Sequence, residues 1–323
     1  MNRMRTAARP GRREVAAPAS TSLEARRPGG GGGGARLRRG WVALGLVVPA
    51  AAFYVAFVLR PLVLTVQYSF YDWNGVGAAT WVGVGNYTRL VDKPELLGSI
   101  VNALELIIYF SFVPVILGLL TAATIRKFAT SRLAMVSRTV LFLPQVIPLV
   151  AAGIMWTWML ATDGVVNELM RAVGLGSVTR AWLGDTSTAL GAVGVIGAWV
   201  ALGLCLLLLL SGMTKIDPAL FEAARIDGAG AVREFFAITL PSVRQEIGVC
   251  VTVTVIAALA AFDIVYISTQ GGPANSTLVP GLEIYYLGFF SREVGQASAL
   301  AVVFMALVLA VVLPIQRLTK EED

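Results

Sequence analysis

Six long apolar runs, near residues 41–66, 100–125, 138–161, 189–211, 246–267 and 298–316, constrain this chain more than any other feature. About 20 consecutive apolar residues cross the hydrocarbon core of a bilayer as a helix. The chain is 56% hydrophobic and 14% charged, against about 25% charged residues in soluble domains. The reading is an all-α membrane protein with six transmembrane helices.

The charges between the runs predict orientation, because short cytoplasmic segments carry excess Lys and Arg. Ten arginines precede the first run, with only Glu14 and Glu24 among them. The segment after the second run has Arg126, Lys127, Arg132 and Arg138 with no acid, and the one after the fourth has Lys215, Arg225, Arg233 and Arg244. Alternate loops are poorer in cations: Arg89 and Lys93, then Arg171 and Arg180, then Arg292. Both termini are therefore expected in the cytoplasm. The net charge of +6 is a topology signal and does not indicate nucleic acid. Residues 1–40, with Gly29 to Gly34, cannot bury a core and are expected to be a disordered basic tail. Residues 318–323 form a short cytoplasmic tail. Trp41 to Leu59 is longer than the apolar region of a signal peptide and reads as a helix.

The composition also removes chemistry. There is no histidine, so catalytic triads and imidazole metal sites are excluded, and no metal site is expected. Cys205 and Cys250 lie inside apolar runs and read as small hydrophobes. The glycines before Ala35-Arg36-Leu37 are not followed by the Gly-Lys-Ser/Thr of a P-loop, so the chain has no ATPase site of its own.

Local signals add detail. Val165, Val166, Leu169, Met170 and Val173 repeat at helical spacing before Gly174, predicting a short interfacial helix. Trp73, Trp81 and Tyr87 read as interface aromatics. Pro144 and Pro148 predict a kink. Gly191, Gly194 and Gly197 form a stripe that lets another helix approach closely.

The loop 212–245 is too long and too structured for a connector. Asp217 suits an N-cap and Pro218 the first helical position; Ala219 to Asp227 favours helix, and Gly228 with Gly230 can turn it. A second short helix is predicted from Ala231 towards Ile238, before Pro241. Within this loop Glu222-Ala223-Ala224, three residues, Gly228, nine residues, Ile238, one residue and Leu240-Pro241 resemble the EAA loop of binding-protein-dependent ABC-importer permeases. Trp81 to Tyr87, Leu141-Phe142-Leu143-Pro144, Trp182-Leu183-Gly184-Asp185 and Phe262 to Tyr266 through Gly271-Gly272-Pro273 are similar to the carbohydrate branch, in particular to the first permease of maltose and glycerol-phosphate transporters. The short first outer loop departs from the enterobacterial maltose permease.

The resemblance implies a type I ABC-importer transmembrane domain over 41–317 in the plasma membrane of a bacterial cell, with one extra N-terminal span around a five-helix core. It implies a second permease subunit, an ABC ATPase dimer that binds ATP and Mg, and an extracytoplasmic solute-binding protein that delivers a sugar. No cofactor is expected on this chain. Glu222, Ala223, Ala224, Gly228, Ile238, Leu240 and Pro241 become candidates for ATPase coupling, with Glu222 as the polar anchor. Gly271, Gly272 and Pro273 become candidates for contact with the binding protein or second permease.

Charges inside spans are costly, which singles out Asp263 and Glu105. Asn102, Thr252, Thr254 and Tyr266, with Trp199 as a stacking surface, are further candidates for a substrate pathway. A secondary transporter of a small polar solute remains an alternative function, as does glycerol-phosphate uptake within the ABC class. The Pro-interrupted third run has no evident partner in a related half, as a secondary transporter would require, and the sequence shows no channel filter or catalytic constellation.

Overall fold

The computed structural model describes residue 45 and residues 47–128 and 131–319. The basic tail, the start of the first run and residues from 320 onward lie outside these. The chain divides into two compact units, Met1–Val58 and Leu59–Asp323. In the first, the described residues are helical and exposed, with Phe53 stacked on Phe57 at 5.7 Å.

Among the described residues, four helices are long and apolar enough to cross a membrane: α1 (Val47–Tyr68), α3 (Pro94–Lys127), α7 (Ala189–Thr214) and, from Val294–Thr319, α13. Two bent pairs are apolar enough only when their halves are taken together: α4 (Arg132–Val146) with α5 (Leu149–Met159), bent by 102°, and α9 (Ala231–Ser242) with α10 (Arg244–Leu259), bent by 69°. Shorter helices are α2 (Gly85–Asp92), α6 (Val165–Ala172), α8 (Pro218–Ile226), α11 (Phe262–Ser268) and α12 (Pro280–Tyr285).

The helices differ from the expected apolar runs in three places. The second helix begins at Pro94 rather than near residue 100, because Lys93 is extended and Pro94 starts the helix. At about 1.5 Å per residue α3 is longer than the hydrocarbon core is thick. The third run breaks at one proline only. Ile147, preceding Pro148, is extended at φ −76° and ψ 127°, the conformation that a following pyrrolidine ring imposes, whereas Pro144 stays within α4. The fifth run stops at Leu259, and a turn at Ala260 and Ala261 precedes α11.

Three prolines in other helices follow wide turns. π-turns at Val55–Leu59, Ile108–Phe112 and Phe235–Thr239 each end two residues before a proline, at Pro61, Pro114 and Pro241. A proline lacks the amide for the usual bond and clashes with the carbonyl four residues back. A widened turn just ahead of it relieves that clash and lets the helix continue. The second helix of loop 212–245 therefore runs through Pro241 to Ser242, beyond its expected end.

α7 is the most enclosed span, with 61% of its most apolar stretch buried against 44% for α3 and 22% for α13. Its glycine stripe faces α3: Gly191 and Gly194 lie against Tyr109, and Gly197 against the ring of Phe110. Thr254 Oγ1 on α10 donates to Ser111 Oγ on α3 at 2.9 Å in the buried interior.

Near the start of the second unit, β1 (Tyr71–Asp72) pairs antiparallel with β2 (Thr80–Trp81), Tyr71 opposite Trp81. Asn86 Nδ2 donates to the carbonyls of Ser69 at 2.9 Å and Tyr71 at 2.8 Å, and Tyr87 Oη to Ser69 Oγ at 2.7 Å. Trp73 stacks on Tyr68 at 4.2 Å, and its carbonyl accepts from Gly295 N of α13. Trp73 and Tyr87, read as interface aromatics, thus build the loop; Trp81 remains exposed.

Candidate functional site: the helix–turn–helix of residues 217–242

α8 is set by local chemistry. Asp217 Oδ1 accepts from Ala219 N at 2.9 Å, and Pro218 occupies the first helical position. Its end is a left-handed cap: Gly228 has φ +77°, its amide donates to Arg225 O at 3.0 Å, and Ala229 N donates to Ala224 O at 2.9 Å. Both bonds satisfy carbonyls that a helix end leaves free. Nothing lies within 4 Å of where a Cβ on Gly228 would sit, so the requirement for glycine there is conformational.

Two contacts that sequence reasoning missed hold α8 in place. Phe221 is buried with Ile125, Met213, Ile216 and Val243, and the Arg126 guanidinium lies 4.0 Å from its ring centroid. This ties α8 to the ends of α3 and α7 through apolar burial and a cation–π contact. Across the turn, Arg225 Nε donates to Glu234 Oε1 at 2.8 Å, with Nη2 3.5 Å from Oε2. The guanidinium holds the Glu234 carboxyl below the usual carboxylate range, and Glu234 raises Arg225 in return. Opposite charges flanking a glycine turn were the available signal.

The opposite face of α8 is free. Glu222 and Ala223 are exposed and Ala224 is half-buried, so the acidic residue of the motif points outward while its neighbour Phe221 points inward. Leu220, Ile226, Val232 and Phe236 are also exposed, Ile226 to 86%. Ile238 packs on the buried cluster and Leu240 is half-buried, while Pro241 borders a cleft of about 560 Å³ beside Lys215 and Glu246, themselves 3.6 Å apart. The motif residues thus divide between a supporting inner layer and an outer exposed face.

The other candidates fall into separate groups. Asn102 Nδ2 donates to Leu278 O at 2.9 Å and Asn275 O at 3.3 Å, which fastens the turn after Gly271-Gly272-Pro273 to α3. In that turn Gly271 has φ +87°, a Cβ on it would meet Leu278 Cδ1 at 3.0 Å, and Thr277 Oγ1 donates to Gly272 O at 2.7 Å. Tyr266 stacks on Phe262 at 5.5 Å and meets Tyr285 edge-on at 5.7 Å. Trp199 meets Trp156 edge-on at 5.5 Å. Asp263 and Glu105 are exposed, whereas Thr252 Oγ1 bonds back to Gly248 O within its own helix. Asn167, unmarked in the sequence reading, is buried; its Nδ2 donates to Ala161, Thr162 and Arg180 carbonyls and its Oδ1 accepts from Trp182 Nε1. It closes the segment carrying α6, which forms where the apolar stripe predicted a short helix.

Residues 114–318, which include both helices of this element, match the family described as binding-protein-dependent transport system inner membrane component. The chain belongs to this family.

This inner membrane component is 33% identical to the probable ABC transporter permease protein YurN of Bacillus subtilis, over 82% of this chain and 91% of that one. It is 32% identical to the diacetylchitobiose uptake system permease protein NgcF of Streptomyces coelicolor, over 85% and 81%. Identity to the lactose transport system permease protein LacF of Rhizobium radiobacter is also 32%, over 83% and 90%. Among solved structures, a chain of a bacterial ABC transporter that imports alginate superposes with a TM-score of 0.76 at 21% identity, covering 88% of this component and 97% of that chain. The permease therefore has an ABC-importer membrane fold, crosses the membrane several times, and is a transport subunit rather than an enzyme.

Proposed function

We propose that this chain is one of two permease subunits of an ATP-driven importer and forms, with its partner, the path for a sugar or oligosaccharide. One observation carries the reading: α8 presents Glu222, Ala223, Leu220 and Ile226 outward while Phe221 and Arg126 tie the same helix to the ends of two spans. A push on that face is delivered to α3 and α7 as a rigid-body displacement, which alternating access requires. The pushing partner is an ABC ATPase dimer that holds the ATP and Mg, since this chain has no P-loop.

The names of relatives support a carbohydrate cargo: diacetylchitobiose for NgcF and lactose for LacF. A second matched structure has an alginate transporter in complex with an alginate pentasaccharide-bound periplasmic protein, which supports delivery by a solute-binding protein. In this reading residues 41–317 form six spans with both termini cytoplasmic, the helix–turn–helix faces the cytoplasm, and the Gly271-Gly272-Pro273 turn meets the binding protein or second permease. Tyr266, Trp199 and Asp263 border the path, and Asn102 supports it by holding the turn.

The test is reconstitution of the permease with its partner permease, ATPase and binding protein in proteoliposomes. Uptake of the sugar that the binding protein retains on purification should require internal ATP and the binding protein. Uptake driven by an ion gradient without ATP would replace this reading with a secondary transporter.

A further inference from the structure

We infer that Glu246 is a positioning residue for coupling: with Lys215 it forms a strut that carries a displacement of the helix–turn–helix into α10 as well as into α7. This role rests on the importer reading above and adds to it a pair of residues outside the Glu222 motif.

The element hangs from two roots, the end of α7 and the start of α10. Lys215 caps the end of α7, its amide donating to Gly212 O at 3.1 Å, and Glu246 lies in the first turn of α10. A cation at a helix C-terminus and an acid at an N-terminus each complement the local end of the helix dipole. Lys215 Nζ is 3.6 Å from Glu246 Oε1, so the two charges join the two helices. The carboxylate is also seated on α7: Gly212 is buried, and a Cβ there would meet Glu246 Cδ at 2.5 Å, Oε1 at 2.7 Å and Cγ at 2.8 Å. Only 20% of the Glu246 side chain is exposed, against 73% for Lys215. Glycine at 212 is what lets the acid lie against the α7 backbone.

The chain's own route from the element into α10 is soft. α9 and α10 meet at 69°, and Val243 between them, at φ −105° and ψ 17°, interrupts the helix. A bend of this kind absorbs displacement, as hinges do. Val243 is buried with Phe221, Met213 and Ile216, but apolar contact is non-directional and fixes no register. The Lys215–Glu246 strut bypasses the bend and holds α10 to α7 at one height, so a push delivered to α7 through Phe221 moves both helices. An ion pair with an exposed partner adds little stability, and its loss therefore shows in coupling before it shows in folding.

The experiment is reconstitution of the full complex in proteoliposomes, measuring uptake of the sugar retained by the binding protein per ATP hydrolysed. Glu246→Gln should lower that ratio by about fivefold, while ATP hydrolysis continues and the thermal midpoint stays within about 3 °C of wild type. Lys215→Gln should do the same, the double variant should be no worse than either alone, and Lys215→Arg, which keeps the charge, should behave as wild type. Gly212→Ala, whose methyl group displaces the Glu246 carboxylate, should reproduce the loss with both charges present. An unchanged ratio in Glu246→Gln and Lys215→Gln would overturn the strut, as would strict additivity in the double variant or a loss of hydrolysis in step with uptake. If Glu246→Gln does not assemble, Lys215→Gln decides alone, because that side chain is exposed. Wild type without ATP-driven uptake would remove the importer reading and this role with it, whereas normal wild-type uptake with unchanged variants removes this role only.

Discussion

Arg225 and Glu234 meet at 2.8 Å across the Gly228 turn, so the two arms of the helix–turn–helix are held by an ion pair as well as by the chain between them. Its pH dependence has a definite sign. Glu234 titrates below the usual carboxylate range because Arg225 bonds the charged form, so the pair's contribution is fully present above that range. It is lost as pH falls through the lowered value. Hydrogen exchange of residues 231–234 should show protection that persists at neutral pH and disappears only in acid below the range of an ordinary glutamate; Glu234→Gln should lack that transition.

Glu222→Lys reverses the charge on the exposed face of α8 without touching Phe221, so membrane insertion and protein level should be unchanged. ATP-driven uptake should fall by about tenfold or more, while the solute-binding protein keeps its affinity for sugar. Normal ATPase association together with normal uptake would remove Glu222 from the coupling surface.

Gly228→Ala should destabilise the turn by about 1–2 kcal/mol through its left-handed backbone alone, because nothing lies near the added Cβ. Gly230→Ala, at φ −79° with the same open surroundings, is the matched control and should be mild. Uptake and ATPase retention by the two variants should separate accordingly; equal behaviour would deny the conformational role of Gly228.

Gly197→Ala should cost about 1–3 kcal/mol by overpacking, since its Cβ would fall on the Phe110 ring. Phe110→Ala leaves a cavity at the same place. The double variant should recover part of the loss of thermal stability, and strict additivity would show that the two residues do not share the contact.

Gly271 combines a left-handed backbone with close approach to Leu278, and Gly272 carries the carbonyl that accepts from Thr277. Gly272→Val should reduce binding-protein-stimulated ATPase activity while basal activity persists. Orientation can be read on the same samples: cysteines placed at Thr179 and Ser276 should label from outside, and at Arg132 and Arg233 from inside. The native Cys205 and Cys250 are buried and should stay silent. An inside signal at Thr179 would invert the map.

What the sequence determined by itself is what short-range physics decides. Apolar length specified a membrane-crossing helical chain, and the Asp217 cap, Pro218 start and Gly228 stop of α8 use hydrogen bonds that close within five residues. Pro148 imposes its bend through its neighbour Ile147 alone. The partners were decided only by tertiary structure. The glycine stripe on α7 announced a close approach, but that Tyr109 and Phe110 of the π-turn in α3 fill it is a matter of how the two helices pack. Asn102 read as a pathway residue because its side chain is polar and lies in an apolar run; a turn more than 170 residues away claims its amide. Phe221 read as one apolar residue in a helix, and only the meeting of α3, α7 and α8 makes it the anchor that places Glu222 on the surface. Caps and bends are local choices of backbone conformation, whereas the choice among distant partners depends on how whole helices pack.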